Sequence, residues 1–331
     1  MNVALHLFGF GQVGESFFHM VQDRLANYSQ IRFQTVFRSR SWSRGSCLEK
    51  KNPEFAKDRP DPVEWIESLN QRELHIFIDA TAETGMLDLI QRALELNHVV
   101  ISANKKPLCE PYEKVTKLYD SILKQRMRIE STVGAGLPVL HQLLTLHELG
   151  EKIHSIQGVV SGTLAYLCSG LNQGNDFSSL VKTAHKLGYT EPDPREDLGG
   201  DDVLRKGLIL SRLLGWSREK SDVEFEPFFS CEQGVSVHEF MDSLNGRSIG
   251  LDLPICYGLN LSKEGCKVGF FSPEQSSFLR GSGENNRVLF FTDIYKPYLL
   301  LEGPGAGREI TALGLFHDML SAIQSMGKER N

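Results

Sequence analysis

No stretch of the sequence approaches the roughly 20 consecutive apolar residues of a membrane-spanning helix, which excludes such a span. The six cysteines, Cys47, Cys109, Cys168, Cys231, Cys256 and Cys266, include no CxxC pair and no metal-ligand spacing. Free thiols in a reducing, cytoplasmic compartment are therefore expected. A basic surplus is also missing. With 36 Lys and Arg against 42 Asp and Glu, the formal net charge is −6, and such a field attracts neither nucleic acid nor anionic membrane. Small molecules are the expected partners. The opening residues, MNVALHLFGF, have no basic n-region and meet a glycine at position 9, so they read as a first strand rather than a signal peptide. His75, His98, His141, His147 and His185 match no HExxH spacing and are expected to be scattered over surface and core.

The 331 residues, 40% of them hydrophobic, suffice for two domains. The apolar runs at 3–8, 31–37, 75–81 and 98–103 alternate with segments of helical period such as 85–97 and 111–125. That alternation predicts a parallel sheet with crossover helices, an α/β fold with a Rossmann-type dinucleotide-binding domain. The polar stretch 38–61 reads as a loop. Beyond residue 135 helical patterns cover 137–150, 163–187 and 201–215, and short alternating segments follow from about 247 to 301. They predict a second, α+β domain for substrate binding and dimerisation. The expected division is 1–134 plus about 303–331 for the first domain and 135–302 for the second. The last segment predicts a helix with Ile310, Leu313, Phe316 and Leu320 on its apolar face.

Gly9, Gly11 and Gly14 stand at GxGxxG spacing directly behind the first strand. The first permits a tight turn, the second lets a pyrophosphate approach backbone, and the third allows close helix-strand packing. The pyrophosphate would rest on the N-terminus of a helix opening near Gln12 and Val13. At the end of the second strand, where a ribose 2′-hydroxyl would call for a carboxylate, the sequence reads VFRSRSWSR. Arg38, with Ser39 and either Arg40 or Arg44, suits a 2′-phosphate instead, so NADP is preferred and NAD remains open. A solvated basic loop is the alternative for the same residues.

Ligands of doubly wound sheets bind at the carboxyl ends of the strands, which directs attention to Thr81 and Lys105. A lysine there is ordinarily a solvated charge. Within GYTEPDPREDLGGDDVLRK, a helix opening near Gly200 puts Asp202 and Lys206 at i and i+4 on one face. An amine beside a carboxylate can exchange the hydroxyl proton that hydride transfer from an alcohol requires, and an ordinary surface ion pair has the same spacing.

The strings ANKKPL, ESTVGAGLPV, GVVSGTLAYL, LGYTEPDPREDLGGDDVLRK and GPGAGREITALGLFHDML resemble, in order, the signatures of monofunctional homoserine dehydrogenase. With GFGQVG they cover essentially the whole chain. The resemblance implies reversible NAD(P)-dependent interconversion of L-homoserine and L-aspartate 4-semialdehyde, in threonine and methionine synthesis. It implies that Lys206 is the catalytic lysine and Lys105 a second lysine set against the nicotinamide. It further implies that Glu191 and Asp202 bind substrate and that Thr81, Ala103, Gly188 and Gly307 line the cofactor. A monovalent cation, usually sodium, would bind at Glu130, Val133, Ala135 and Leu137, although GAG turns also serve close packing. A homodimer built on the second domain's sheet is implied too. Ending at Asn331, the chain is expected to hold neither an aspartokinase nor an ACT domain.

Two rivals differ in what they need. A phosphorylating semialdehyde dehydrogenase requires a nucleophilic cysteine, for which Cys109 and Cys168 are the candidates. A non-catalytic NADP sensor has no use for Lys105, Glu191, Asp202 and Lys206.

Overall fold

In the computed structural model, which describes residues 2–50, 52–70, 73–190, 193–230, 234–272 and 285–329 (backbone alone for 327–329), the first apolar run is strand β1, Val3–Phe8, buried at every residue. Burial on both faces requires helices on both sides of the sheet, the condition of a parallel arrangement. Helix α1 (Gln12–Arg24) leads to β2 (Ile31–Phe37) and β3 (Trp42–Arg44). Then come α2 (Pro62–Ile66), β4 (Leu74–Asp79), α3 (Leu87–Glu95), β5 (Val99–Ser102), α4 (Tyr112–Leu123) and β6 (Met127–Arg128). The sheet order is β3-β2-β1-β4-β5-β6, parallel throughout except for β3 against β2. The strand order reverses between β1 and β4, and the crevice at their carboxyl ends is where sheets of this Rossmann type bind ligands.

The chain divides into two compact units, Met1–Leu140 with Gly307–Asn331, and His141–Ala306. In the first, Leu5, Leu7, Ile76, Ile78 and Ile101 share a core with Phe17 and Phe18 of α1 and with Ala312, Leu315, Phe316 and Met319 near the C-terminus.

Helix α5 (Val139–Glu148) is followed in the second unit by β7 (Ile153–Val159), α6 (Gly162–Asn172), α7 (Phe177–Leu187), α8 (Arg195–Leu198), α9 (Asp201–Leu213), β8 (Val223–Phe225) and α10 (Val237–Ser243). Strands β9 (Cys256–Ser262), β10 (Cys266–Phe271), β11 (Asn285–Thr292) and β12 (Leu299–Pro304) complete it. Its sheet runs β12-β11-β7-β9-β10-β8, antiparallel except for β8 on β10. Helix α6 packs on β9 and β11, and α9 on β9 and β10. The last helix, α11 (Arg308–Glu329), belongs to the first unit.

Three expectations are corrected and one, the helical stretch 163–187, is refined. The stretch 38–61 is not all loop, because Trp42–Arg44 pairs with β2 as an edge strand too short to show a period. The segment 163–187 is two helices, since Asp176 caps α7 by accepting from the Ser179 N–H at 2.9 Å. The buried stripe of α11 is Ala312, Leu315, Phe316, Met319 and Ala322, whereas Leu313 is 42% exposed. The small residues of the stripe, which a reading by large side chains passes over, let that face approach its neighbours. His75 and His98 are not scattered: parallel register sets them beside His6 in a buried cluster, with His6 Nε2 2.9 Å from His75 Nδ1. No helix among the described residues is long and apolar enough to cross a membrane.

Candidate active site

The end of β1 is built for close approach. Gly9, at φ +91°, donates its N–H to the Phe37 carbonyl at 3.0 Å, and a Cβ there would lie 2.7 Å from the Ala80 oxygen. A Cβ on Gly14 would lie 1.9 Å from the Gly9 oxygen, so only glycine lets α1 seat against the turn. Gly11 caps α1 without a side-chain bond, and a Cβ on it would meet nothing within 4 Å. The helix therefore begins, at Gln12 and Val13, with backbone N–H groups beside an open approach, the arrangement that receives phosphate. The cradle fits a dinucleotide.

Arg38 follows β2, and its guanidinium carbon lies 5.1 Å from the Phe10 ring centre and 3.9 Å from that of Phe55. At the ends of β4 and β5 the buried carboxylate of Asp79 organises two turns. Its Oδ1 accepts from the Thr81 N–H at 2.9 Å and the Thr81 hydroxyl at 2.7 Å, and its Oδ2 from the Ser102 hydroxyl at 3.4 Å. Asn104 Nδ2 donates to Thr81 Oγ1 and to the Glu83 carbonyl, while Asn104 Oδ1 accepts from the Lys106 N–H. Half-buried Ala103 and Lys105 are thus held on a cross-linked segment beside Thr81. Burial pushes the Asp79 carboxyl up to about 6 against the pull of these hydrogen bonds.

In the second unit Lys206 is buried on α9. Its Nζ donates to the Val160 carbonyl at 2.5 Å and pairs with Asp202 Oδ2 at 2.7 Å, the side chains being 8% and 36% exposed. The i,i+4 spacing thus yields an ammonium lodged in the interior with a carboxylate at its edge. Gly200, at φ +77°, opens α9, and the Tyr257 hydroxyl occupies the space of a Cβ there, 2.2 Å away. Gly188 ends α7 in a left-handed conformation. The Thr163 hydroxyl donates to the Tyr189 carbonyl at 2.5 Å. Glu191 lies outside the described residues.

The ESTVGAGLPV segment belongs to the first unit. Glu130 is buried; its N–H donates to Asp318 Oδ2 on α11 and its Oε1 accepts from the Leu140 N–H, both at 2.9 Å. Gly134 and Ala135 both have positive φ and fold the backbone of 133–137 into a tight turn that includes Val133 and Leu137. Gly307, at φ +115°, precedes α11.

The family model for homoserine dehydrogenase matches residues 138–320, more than half of the chain. The chain belongs to the homoserine dehydrogenase family. A homoserine dehydrogenase of Paracoccidioides brasiliensis is 30% identical over 279 residues, 76% of this chain and 75% of that protein. The bifunctional aspartokinase/homoserine dehydrogenase 1 of Zea mays is 35% identical over 273 residues, and the chain spans 29% of its length. A hyperthermophilic archaeal homoserine dehydrogenase solved in complex with NADPH superimposes with a TM-score of 0.76 at 21% identity, covering 98% of both chains, a likeness of fold.

The structure brings together Gly9, Gly11, Gln12, Val13, Gly14, Arg38, Thr81, Ala103 and Lys105 around the carboxyl ends of the first sheet. It places Gly188 and the Asp202–Lys206 pair in the second unit. Sequence reasoning gave no part to Asp79, Asn104, Val160 and Phe55. Asn104 lay inside a quoted motif, but a backbone carbonyl such as that of Val160 leaves no mark in sequence.

Proposed function

We propose that the chain catalyses the reversible NAD(P)-dependent interconversion of L-homoserine and L-aspartate 4-semialdehyde, with reduction of the aldehyde the biosynthetic direction, in threonine and methionine synthesis. The observation that carries this reading is Lys206, buried and paired to Asp202 inside the segment that matches the family. A bound nicotinamide cofactor would supply the hydride acceptor for the carbinol carbon of homoserine and the hydride donor for the aldehyde. Lys206 exchanges the proton of the substrate oxygen, and Asp202 fixes the lysine's rotamer. Asp202 and Glu191 supply negative charge for the α-ammonium of the substrate. Lys105, between Asn104 and Lys106 on the segment that Asn104 anchors, would lie against the nicotinamide, and Thr81, Ala103, Gly188 and Gly307 would line the cofactor. The glycine cradle takes the pyrophosphate and Arg38 the 2′-phosphate, so NADP is preferred over NAD.

The buried Glu130 carboxylate and the carbonyls of Val133, Ala135 and Leu137 form an all-oxygen donor set that suits a hard monovalent cation, sodium in this reading. A cytoplasmic homodimer completes the proposal, following the family resemblance.

Lys206→Ala tests the assignment. The variant should fold, because Asp202 is exposed enough to keep its charge hydrated, and should bind NADPH as the parent does. Turnover of homoserine should fall by about 10²- to 10⁴-fold, the range of a lost proton-transfer group. Turnover within a few-fold of the parent would refute the role given to Lys206.

A further inference from the structure

We propose that Phe55 is a positioning residue for cofactor selection, its ring face holding the Arg38 guanidinium in the attitude that receives a 2′-phosphate. The inference rests on the proposed role of Arg38 and extends it to a segment that carries no motif.

Arg38 is exposed, and a free arginine side chain at the surface samples many rotamers. Here the guanidinium carbon lies 3.9 Å from the Phe55 ring centre and 5.1 Å from that of Phe10. A ring face this close to the guanidinium carbon restricts the side chain's rotamers while N–H groups at the guanidinium rim remain available to an anion. The two rings are themselves anchored. Phe10 meets Phe18 edge-on at 5.4 Å and Phe55 at 5.4 Å, and both Phe10 and Phe55 pack against the buried core.

The backbone on each side is pinned as well. Arg38 donates its N–H to the Ser41 carbonyl at 2.8 Å, closing the turn after β2. Ala56 exchanges two hydrogen bonds with Trp42, 2.8 and 3.0 Å long, which brings the residue beside Phe55 onto the edge of β3. Trp42 Nε1 donates to Asp58 at 3.1 Å, and Arg59 Nη1 donates to the Ser39 carbonyl. The stretch from Phe55 to Arg59 is therefore a strap that returns to the residues following β2 and fixes Arg38 before any ligand arrives. Such preorganisation raises affinity by lowering the ordering cost of binding. The cation–π contact of Phe55 is to Arg38, so its loss should weaken ligands that use Arg38 more than those that do not.

The test is calorimetric titration of adenosine 2′,5′-bisphosphate and of 5′-AMP, with NADPH and NADH followed by nicotinamide fluorescence. The proteins are the full chain and its Phe55→Leu, Phe55→Trp and Arg38→Ala variants. Phe55→Leu keeps the apolar volume but removes the ring face. It should weaken adenosine 2′,5′-bisphosphate and NADPH about two- to fivefold, the worth of an exposed cation–π contact, without a parallel change for 5′-AMP and NADH. Phe55→Trp should retain or tighten the 2′-phosphate ligands. Equal weakening of both ligand pairs by Phe55→Leu, or no weakening where Arg38→Ala causes one, would overturn the role of Phe55. So would a Phe55→Trp variant that behaves like Phe55→Leu. If Arg38→Ala leaves the preference for the 2′-phosphate intact, the role of Arg38 fails first and that of Phe55 with it.

Discussion

Asp79 is a carboxylate inside the protein that hydrogen-bonds Thr81 directly, and Thr81 in turn is bonded to Asn104, which accepts from the Lys106 N–H. It ionises near 3.8 in an unfolded chain and near 6 here, because burial disfavours the charge. The folded state thus holds the proton more tightly than the unfolded one. The contribution of Asp79 to stability is fullest below about pH 4, is lost as pH rises from 4 to 6, and is constant above that. Over that window it amounts to roughly 3 kcal/mol. Asp79→Asn cannot titrate. Urea unfolding at pH 4.5 and pH 7 should show the parent gaining about 2 kcal/mol over Asp79→Asn toward acid. A difference between the two proteins that does not change with pH would show that Asp79 does not titrate in this range. Residues of this kind were half legible in the sequence. Asp202 and Lys206 announced themselves by spacing, but burial of Lys206 against a carbonyl from another element is decided by packing.

Across β1, β4 and the residue before β5, His6 stacks on His75, His75 meets His98 edge-on, Phe77 lies tilted against His6 and His98, Trp65 meets His6 edge-on, and His6 hydrogen-bonds Thr35. Burial, reinforced by the neighbouring histidines, lowers His6 well below its ordinary range and brings His98 to about 4, where His75 and Arg126 add to the effect. His6 and His98 are neutral when folded and charge readily when unfolded. Their stabilisation is complete above about pH 6.5 and is lost as pH falls from 6.5 toward 4, the opposite sense to Asp79. His98→Phe should reduce that loss: against the parent, the variant should gain about 1–2 kcal/mol between pH 7 and pH 4.5 in chemical unfolding. An unchanged difference would show that His98 does not carry the acid sensitivity. At this scale the sequence was most informative where a continuous apolar run met a motif, as at Leu5–Gly9 and Ile101–Lys105. It was least informative where three residues make a strand, as at Trp42–Arg44, or where small residues make a face, as at Ala312 and Ala322. The histidine cluster escaped notice because strand register, not spacing along the chain, brings its members together.

The whole chain joins two sheets of different character, and its motifs divide between them. The parallel sheet holds the glycine cradle, Arg38 and Lys105; the unit with the antiparallel sheet holds Gly188, Asp202 and Lys206. The fold class was readable because parallel and antiparallel sheets leave different hydrophobic patterns, continuous in one and alternating in the other. The chain belongs to the homoserine dehydrogenase family, and the proposed reaction would give Lys206 a proton to exchange and the cradle a dinucleotide to hold. The most direct measurement is absorbance at the nicotinamide band while the purified full chain is mixed with L-homoserine and either NADP or NAD. The account predicts reduction of the cofactor that depends on homoserine and is faster with NADP at equal subsaturating concentrations. No reduction of either cofactor, in a protein that demonstrably binds NADPH, would contradict it.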